Sequence, residues 1–176
     1  MLKILKPIKI ERHFKEIKVL QTLYGGPNII KLFDVIRDSK TQTPVFVYEY
    51  MPNIETKTIS RQFTNMDIRL YAYKMFQALS HAHEHGIMHR DLKPGNMVIN
   101  HGPRDLRIID WGLAEFYIAE KSYGTHVGTR YFEAPELLLK DKKYNFAVDI
   151  WSIGCTLAAW LFKLDKFMRG RDEEHG

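Results

Sequence analysis

Four polar residues have the chemical groups that phosphoryl transfer needs: Asp91, Lys93, Asn96 and Asp110. Moving a γ-phosphoryl group to a hydroxyl requires a base that orients the nucleophile, Mg²⁺ that neutralises phosphate charge and a cation near the transferred group. Asp91 is the candidate base, and Lys93 can approach the moving phosphate as a point charge. Asn96 and Asp110 are the candidate metal ligands. These residue types therefore predict phosphoryl-transfer chemistry.

The segment between Asn96 and Asp110 has the pattern of a β-hairpin. Residues 97–100 and 106–109 are rich in apolar and β-branched side chains, and they flank the turn-forming residues 101–105. A hairpin brings Asn96 and Asp110 to the same open end, although they are distant in sequence. Taken alone, His89-Arg90-Asp91 fits a solvated turn, and Asp110-Trp111-Gly112 fits a hairpin. The predicted hairpin makes the catalytic interpretation the better one.

A lysine and a glutamate near the start of the chain are predicted to pair. Lys3 lies in a short apolar run, residues 1–6, that favours a strand. The helix predicted next has apolar side chains at helical spacing: Ile10, Phe14, Ile17 and Leu20. Glu16 can turn inward from this helix toward Lys3. The alternative is that Lys3 is an ordinary exposed charge.

A longer helix is predicted between Thr64, which suits the N-cap, and Gly86, which can adopt the left-handed conformation that ends a helix. Five residues form its apolar stripe: Ile68, Tyr71, Met75, Leu79 and Ala82. This helix leads into the catalytic segment. His81, His83 and His85 point to different faces of it, so the pattern favours a solvated surface over a metal site.

The remaining elements are two strands and an apolar helix. The strands are predicted at residues 29–36 and 44–51, with a polar turn at residues 37–40. Residues 150–162 carry no formal charge and predict a buried helix, because a membrane-spanning helix needs about 20 residues. Cys155 in this helix is predicted to be a core thiol. As the lone cysteine it has no intrachain disulfide partner, which fits a reducing compartment.

The composition is that of a soluble globular domain, with 176 residues of which 45% are hydrophobic and 27% charged. Residues 1–40 contain nine lysines or arginines and four acidic residues, which accounts for the whole net charge of +5. Such a basic region can attract nucleic acid or steer acidic peptides. Aromatic side chains do not alternate with these charges, so we expect no specific nucleic-acid site. We also expect no signal segment and no membrane span.

Two of the polar motifs resemble the catalytic loop and the metal-binding turn of protein kinases, at residues 89–96 and 110–112. Residues 133–136 match the Ala-Pro-Glu signature that follows in that family. Trp111 stands where most protein kinases carry phenylalanine. Three further segments are similar to the catalytic (alpha) subunits of casein kinase II: residues 25–30, 86–91 and 130–132. The similarity runs through essentially the whole chain.

The resemblance implies an α+β fold of the bilobal protein-kinase type, truncated at both ends. Residues 1–51 would form an incomplete N-lobe, and residues 52–176 a partial C-lobe with the catalytic loop, the activation segment and the central helix. The Gly-rich loop that covers the nucleotide phosphates would precede Lys3, and further helices would follow Gly176. We therefore expect this polypeptide alone to turn over poorly.

The resemblance also implies roles for individual residues. Lys3 would hold the nucleotide α- and β-phosphates and pair with Glu16. Asn96 and Asp110 would bind Mg²⁺, and Arg130 would contact the substrate. Four residues would contact or adjoin the adenine: Glu49, Met51, Val98 and Ile109.

The family implies a serine/threonine kinase that uses ATP, and often GTP, with Mg²⁺, in the nucleus and cytoplasm. It implies acidic protein substrates and a regulatory beta subunit as partner. His126 and Glu133 stand where the family presents basic residues, so the preference for acidic substrates stays open. The alternative function is a catalytically crippled fragment that acts at most as a binding module. The intact residues Asp91, Lys93 and Asn96 favour the kinase.

Overall fold

The computed structural model describes residues 1–4, 10–39, 43–52 and 56–169. Helices alternate with three small antiparallel sheets, so the predicted α+β class is confirmed. One large hydrophobic core joins most of the elements, and a smaller core lies beneath the segment that precedes the last helix.

The first sheet has three strands: β1 (Leu2–Ile4), β2 (Leu32–Arg37) and β3 (Pro44–Tyr48). Their order is β1-β3-β2, and both pairs are antiparallel. Lys3 lies opposite Phe46, which is fully buried. The middle strand ends at Tyr48, earlier than the predicted residue 51. This sheet fixes where Lys3 stands.

The strand predicted from residue 29 begins only at Leu32, because the residues before it pair elsewhere. Ile29 forms an isolated parallel bridge with Ile108, and the Ile30 amide donates to the Ile108 carbonyl at 3.1 Å. These two residues therefore connect the first sheet to the hairpin that separates Asn96 from Asp110.

The first helix, α1 (Ile10–Thr22), buries part of the predicted stripe, since Ile17 and Leu20 pack in the main core. Phe14 is 62% exposed, which contradicts its place in the apolar stripe, whereas Glu16, Val19 and Leu20 are buried. The shift places Glu16 on the inward face, because residues three and four apart share a side of a helix.

The longest helix, α3 (Asn65–Glu84), follows the prediction closely. Thr64 is its N-cap and forms a capping box with Asp67, and Gly86 follows its end in the left-handed region at φ 69°. The five residues of the predicted stripe are all buried: Ile68, Tyr71, Met75, Leu79 and Ala82. Capping and apolar periodicity are local signals, so the sequence was sufficient here.

His81 and His83 of α3 depart from the prediction of a solvated surface, whereas His85, which follows the helix, is exposed as predicted. His83 Nε2 lies 2.9 Å from Oδ2 of Asp149, and the His83 side chain is only 17% exposed. His81 and His85 pack with ring centroids 4.3 Å apart. Among the described residues, no three His, Cys, Asp or Glu side chains form a group that could hold a metal ion.

The predicted hairpin is present as β5 (Met97–Asn100) and β6 (Asp105–Ile108), which pair antiparallel. Short strands β4 (Ile87–Met88) and β7 (Glu115–Phe116) pair on either side of it in sequence. The described residues also form three more α-helices: α2 (Thr56–Ile59), α4 (Pro135–Leu138) and α5 (Ala147–Leu161). They also form four 3₁₀ helices, one of which is the short helical turn Arg130–Phe132. Strands β4 and β5 flank residues 89–96, and strands β6 and β7 flank residues 110–112, so the two strand pairs fix both ends of each polar motif.

Helix α5 is buried on one face only, whereas the sequence predicted a buried helix. Ile153 and Trp160 belong to the main core, but Ile150 and Leu161 are exposed. Cys155 is buried, as predicted, and burial raises the pKa of its thiol. None of the helices in the described part of the chain combines the length and apolar character needed to cross a membrane.

Candidate active site

The carboxylate of Asp91 is held by three side chains. Oδ2 accepts hydrogen bonds from Lys93 Nζ at 2.8 Å and from Asn96 Nδ2 at 3.1 Å. Oδ1 accepts one from the Thr129 hydroxyl at 2.8 Å. The residue is nearly buried, at 8% exposure. A carboxylate fixed in this way is suited to orient a hydroxyl nucleophile.

Lys93 lies beside this carboxylate without being tied to it alone. Its Nζ also donates to Thr129 Oγ1 at 2.6 Å, and its side chain remains partly exposed. An amine in this position can contact a phosphate that approaches Asp91. The structure thus brings together Asp91 and Lys93, as their spacing predicted.

Asn96 and Asp110 meet at the open end of the β5–β6 hairpin and line one cavity of about 180 Å³. The Ile109 amide donates to the Asn96 carbonyl at 2.9 Å, which extends the hairpin pairing to this end. Nδ2 of Asn96 donates to Asp91, both to its backbone carbonyl and to its carboxylate, so Oδ1 is the atom left for a cation. Carboxylate and amide oxygens are ligands that Mg²⁺ prefers, so this donor set fits the ion.

Lys3 joins α1 to the metal-binding turn. Its Nζ lies 2.9 Å from Glu16 Oε1 and 3.0 Å from Asp110 Oδ1. Burial lowers the pKa of Lys3, but the two carboxylates outweigh it and hold the pKa above its ordinary value. Burial likewise raises the pKa of Asp110, and the Lys3 ammonium more than reverses this, so that pKa lies below its ordinary value. Both groups are therefore charged at neutral pH.

The cavity at Asp110 has the composition of a small-molecule site, with apolar walls and a few polar groups. Its apolar and aromatic walls include Ile30, Tyr48 and Ile109. The Tyr48 hydroxyl donates to Glu16 Oε1 at 3.2 Å, so the wall also supports the carboxylate that holds Lys3. The conformation of Asp110 is left-handed, with φ 58°, which turns the chain sharply at the cavity.

Three of the predicted adenine-contacting residues do not line this cavity. The carboxylate of Glu49 is engaged by the Lys31 amide at 2.9 Å and by Arg107 Nε at 3.1 Å. Val98 is buried within β5, and Met51 follows β3 with its side chain half-buried. Of the four, the structure places Ile109 alone in the wall.

Asp149 supports the catalytic segment, residues 89–96, by accepting hydrogen bonds from its backbone. Sequence reasoning missed this residue. Oδ2 accepts from the His89 amide at 2.8 Å and Oδ1 from the Arg90 amide at 2.8 Å. Oδ2 also contacts His83 Nε2. The residue is 0% exposed. A buried charge needs partners, so an aspartate in the first turn of an otherwise apolar helix was the available signal.

His89 links the catalytic segment to the hairpin. Its Nε2 lies 3.1 Å from the Ile109 carbonyl, and the Asp91 amide donates to its Nδ1 at 3.2 Å. Burial lowers the pKa of His89, so the ring is neutral with its proton on Nε2. The ring also packs edge-on against Trp111, with centroids 4.6 Å apart. This packing fixes the direction of the chain that enters Asp91.

Arg90 ties the catalytic segment to the residues that follow the metal-binding turn. Its Nε donates to the Leu113 carbonyl at 2.8 Å, and Nη1 donates to the Tyr144 hydroxyl at 2.7 Å. The backbone of Arg90 is left-handed, with φ 68°. This strained conformation is held by bonds to three separate parts of the fold.

Thr129 and Gly128 are further site residues that the sequence did not single out for this role. Gly128 has φ 87°, and a Cβ there would lie 2.9 Å from the Arg90 carbonyl oxygen. Only glycine permits so close an approach, and it brings Thr129 to Asp91.

Arg130 lies next to a different cavity of about 180 Å³, with His126, Glu133 and Lys140 in the same wall. Its Nε and Nη2 are buried, and they have no hydrogen-bond partner in the described part of the chain. Burial raises the pKa of Glu133, although Arg130 partly opposes this effect. The cavity wall therefore contains a guanidinium group, with two donors buried and unsatisfied, and one carboxyl whose pKa is raised.

The site as a whole offers a fixed carboxylate, an adjacent amine and two oxygen ligands at the mouth of a cavity. This arrangement can orient a hydroxyl and hold a metal-bound polyphosphate. A comparison with protein-family models matches the protein kinase domain over residues 2–176.

Proposed function

Since this chain belongs to the protein kinase family, we propose that it transfers the γ-phosphoryl group of ATP to serine and threonine hydroxyls of proteins, as casein kinase II catalytic subunits do. The observation that carries the proposal is the set of bonds that fixes Asp91 to Lys93, Thr129 and Asn96, the last of which lines one cavity together with Asp110. The choice of serine and threonine, and of the casein kinase II type, is supported by the sequence resemblance.

Each residue has a distinct part in this proposal. Asp91 accepts the hydrogen bond of the substrate hydroxyl and orients it for in-line attack, while Lys93 stabilises charge on the transferred group. Asn96 and Asp110 are the residues that would hold Mg²⁺, which neutralises phosphate charge when bound. Lys3 is positioned by Glu16 to contact the nucleotide phosphates.

The Lys3–Asp110 contact has a consequence for nucleotide binding. The two groups neutralise each other at 3.0 Å, so a metal-bound nucleotide must replace this ion pair with new contacts to both. Because Lys3 and Asp110 are 36% and 49% exposed, solvent already screens the pair and its loss costs little.

Acidic protein substrates are supported by Arg130, whose unsatisfied donors face no partner among the described residues. Lys140 and His126 lie in the same cavity wall, whereas Glu133 opposes a substrate carboxylate. We propose a preference for acidic peptides that Glu133 weakens. The resemblance further supports GTP as a second phosphoryl donor, a regulatory beta subunit as partner, and residence in the nucleus and cytoplasm.

The alternative is a binding module that holds a nucleotide or a substrate without turnover. The observation in its favour is the open side of the nucleotide cavity, where both Lys3 and Asp110 remain partly exposed. A site that admits water stabilises transition-state charge less well than a closed one. The two functions differ in turnover and agree on binding.

The test uses a peptide with a single serine among acidic residues, together with Mg·ATP and the 176-residue chain. We expect phosphate on that serine at a low rate, in keeping with the poor turnover expected of this polypeptide alone, and a loss of about 10²-fold or more in kcat for Asp91→Asn. Asp141→Asn is the matched control, because Asp141 is exposed and bonds only locally to the Lys143 amide. Equal rates for Asp91→Asn and the control would contradict the proposal.

A binding measurement distinguishes the binding module from the kinase. Titration with a fluorescent ATP analogue, with and without Mg²⁺, should show metal-dependent affinity that Asp110→Asn removes. Metal-dependent binding without any turnover would favour the binding module. Metal-independent binding in both proteins would contradict the roles given to Asn96 and Asp110.

A further inference from the structure

A cavity of about 320 Å³ shares two wall residues, Lys93 and Thr129, with the candidate active site. Lys93 Nζ lies 2.8 Å from Asp91 Oδ2, and Thr129 Oγ1 lies 2.8 Å from Asp91 Oδ1. The cavity is therefore continuous with the place where a substrate hydroxyl would be presented. None of the roles described above uses it.

The deeper wall of this cavity is apolar and rigid. Phe132, Ala159 and Trp160 contribute to it, and all three are buried. Trp160 packs edge-on against Phe63, with ring centroids 5.3 Å apart, so the wall is built on the main core. A cavity of about 150 Å³ lined by apolar groups already accommodates a benzene ring. This one has room for any single apolar side chain.

The rim of the cavity is positively charged. Arg61, Lys163 and Lys166 lie around it with a single carboxylate, that of Asp165. Arg61 pairs with Asp165 at 3.1 Å, and Lys166 Nζ lies 3.5 Å from the centroid of the Tyr131 ring. Since cations outnumber acids here, the rim attracts a peptide of net negative charge. An apolar floor beneath a basic rim suits an apolar residue within an acidic peptide.

Residues 129–131 are shared between the 320 Å³ cavity and the cavity beside Arg130 and Glu133. Thr129 and Tyr131 line the 320 Å³ cavity, whereas Arg130 lines the cavity with the unsatisfied guanidinium donors. A peptide that crosses these residues with its hydroxyl at Asp91 can therefore place one side chain in each cavity. The two side chains would lie on opposite sides of the residue that is phosphorylated.

We propose that the 320 Å³ cavity binds a large apolar side chain of an acidic protein substrate, on the opposite side of the acceptor residue from the acidic side chain that Arg130 binds. The inference rests on the proposed kinase function. It adds a second determinant of substrate choice, since burial of one large apolar side chain discriminates by about 10- to 200-fold against a small one.

The experiment scans acidic peptides in which one position at a time, within four residues of the serine on either side, is alanine or phenylalanine. We expect a fall of about tenfold in KM for phenylalanine at one position, with kcat unchanged, because this contact is the same in the ground state and the transition state. The reversed peptide, with apolar and acidic sides exchanged, should lose the gain. No selective position on either side would overturn the inference.

Filling the cavity provides the matched control. Ser60 lines it, so Ser60→Trp or the smaller change Ser60→Tyr should abolish the preference for phenylalanine and leave turnover of the alanine peptide unchanged. Thr58→Trp places the same ring on an exposed site of helix α2, two residues before Ser60 and outside the cavity wall, and it should keep the preference. Equal melting temperatures exclude misfolding as the cause. Retention of the preference in both Ser60 variants would contradict the proposal.

Failure of the inference can be told apart from failure of the kinase function. Turnover of acidic peptides without apolar selectivity would contradict the cavity proposal and leave the kinase function standing. If no peptide is phosphorylated, fluorescence anisotropy with labelled peptides still tests the cavity through tighter binding of the phenylalanine peptide to wild type than to Ser60→Tyr. If the chain's own residues 170–176 are the occupant, removing them would create a selectivity that the full chain lacks, which would overturn the proposal.

Discussion

Replacing Asp149 by asparagine tests how the catalytic segment is held. Asp149 Oδ2 accepts from the His89 amide at 2.8 Å and contacts His83 Nε2 at 2.9 Å, while Oδ1 accepts from the Arg90 amide at 2.8 Å. Asparagine has the same shape but only one acceptor oxygen. If that oxygen takes the place of Oδ2, the amide NH₂ faces the Arg90 N–H. In the other rotamer the NH₂ faces two donors.

The magnitude follows from this arrangement. Either rotamer of Asp149→Asn loses at least one hydrogen bond to a charged group, worth about 1.5–3 kcal/mol, and leaves a buried donor unsatisfied at a cost of about 1–3 kcal/mol. Because the residue is fully buried, no water can replace the lost acceptor. We expect the free energy of unfolding to fall by about 3–5 kcal/mol, which is a large part of the stability of a typical domain.

Urea unfolding, followed by tryptophan fluorescence, measures this change, and Asp141→Asn is the control for a surface aspartate. We expect the control to change stability by less than about 0.5 kcal/mol. Where Asp149→Asn remains folded at low temperature, kcat should fall more than KM rises, because the support of Asp91 is loosened. A loss of stability below about 1 kcal/mol, equal to the control, would refute the reasoning.

Three further outcomes follow from the site. Thr129→Val keeps the shape but removes the donor to Asp91 Oδ1, so kcat should fall by about tenfold or more in steady-state assays with little change in melting temperature. Gly128→Ala should destabilise the fold by about 1–3 kcal/mol in urea unfolding, because φ is 87° and the Cβ would meet the Arg90 carbonyl. Burial raises the pKa of Glu133, so this carboxyl becomes protonated at a higher pH than an ordinary glutamate does. Protonation removes its repulsion of a substrate carboxylate. The ratio of the wild-type KM to the Glu133→Gln KM for the same acidic peptide should therefore fall with decreasing pH, because only wild type loses a repulsive charge at this position.

Local signals in the sequence were sufficient for the elements that depend on local physics. The cap at Thr64, the apolar stripe of α3 and the turn at residues 101–105 each act within a few residues, and the structure contains all of them. The pairing of Lys3 with Glu16 could also be predicted, because a strand and the following helix are neighbours.

Contacts between segments distant in the chain could not be predicted from the sequence. Thr129 meets Asp91 and Asp149 meets His89 only because the chain folds back over the catalytic segment. The inward face of α1 was misjudged at Phe14 for the same reason, since tertiary packing against the sheet selects the face that contains Glu16. His83 was assigned to solvent because its buried partner lies on another helix.

The bonds of Arg90 bear on how the protein would be regulated. Both hydrogen bonds of its guanidinium group go to uncharged groups of the fold itself, the Leu113 carbonyl and the Tyr144 hydroxyl. The segment after Asp110 is thus anchored without an added negative charge. We therefore expect activity that does not require phosphorylation of this segment. The rate in the cell would then be set by the amounts of the protein and of its substrates.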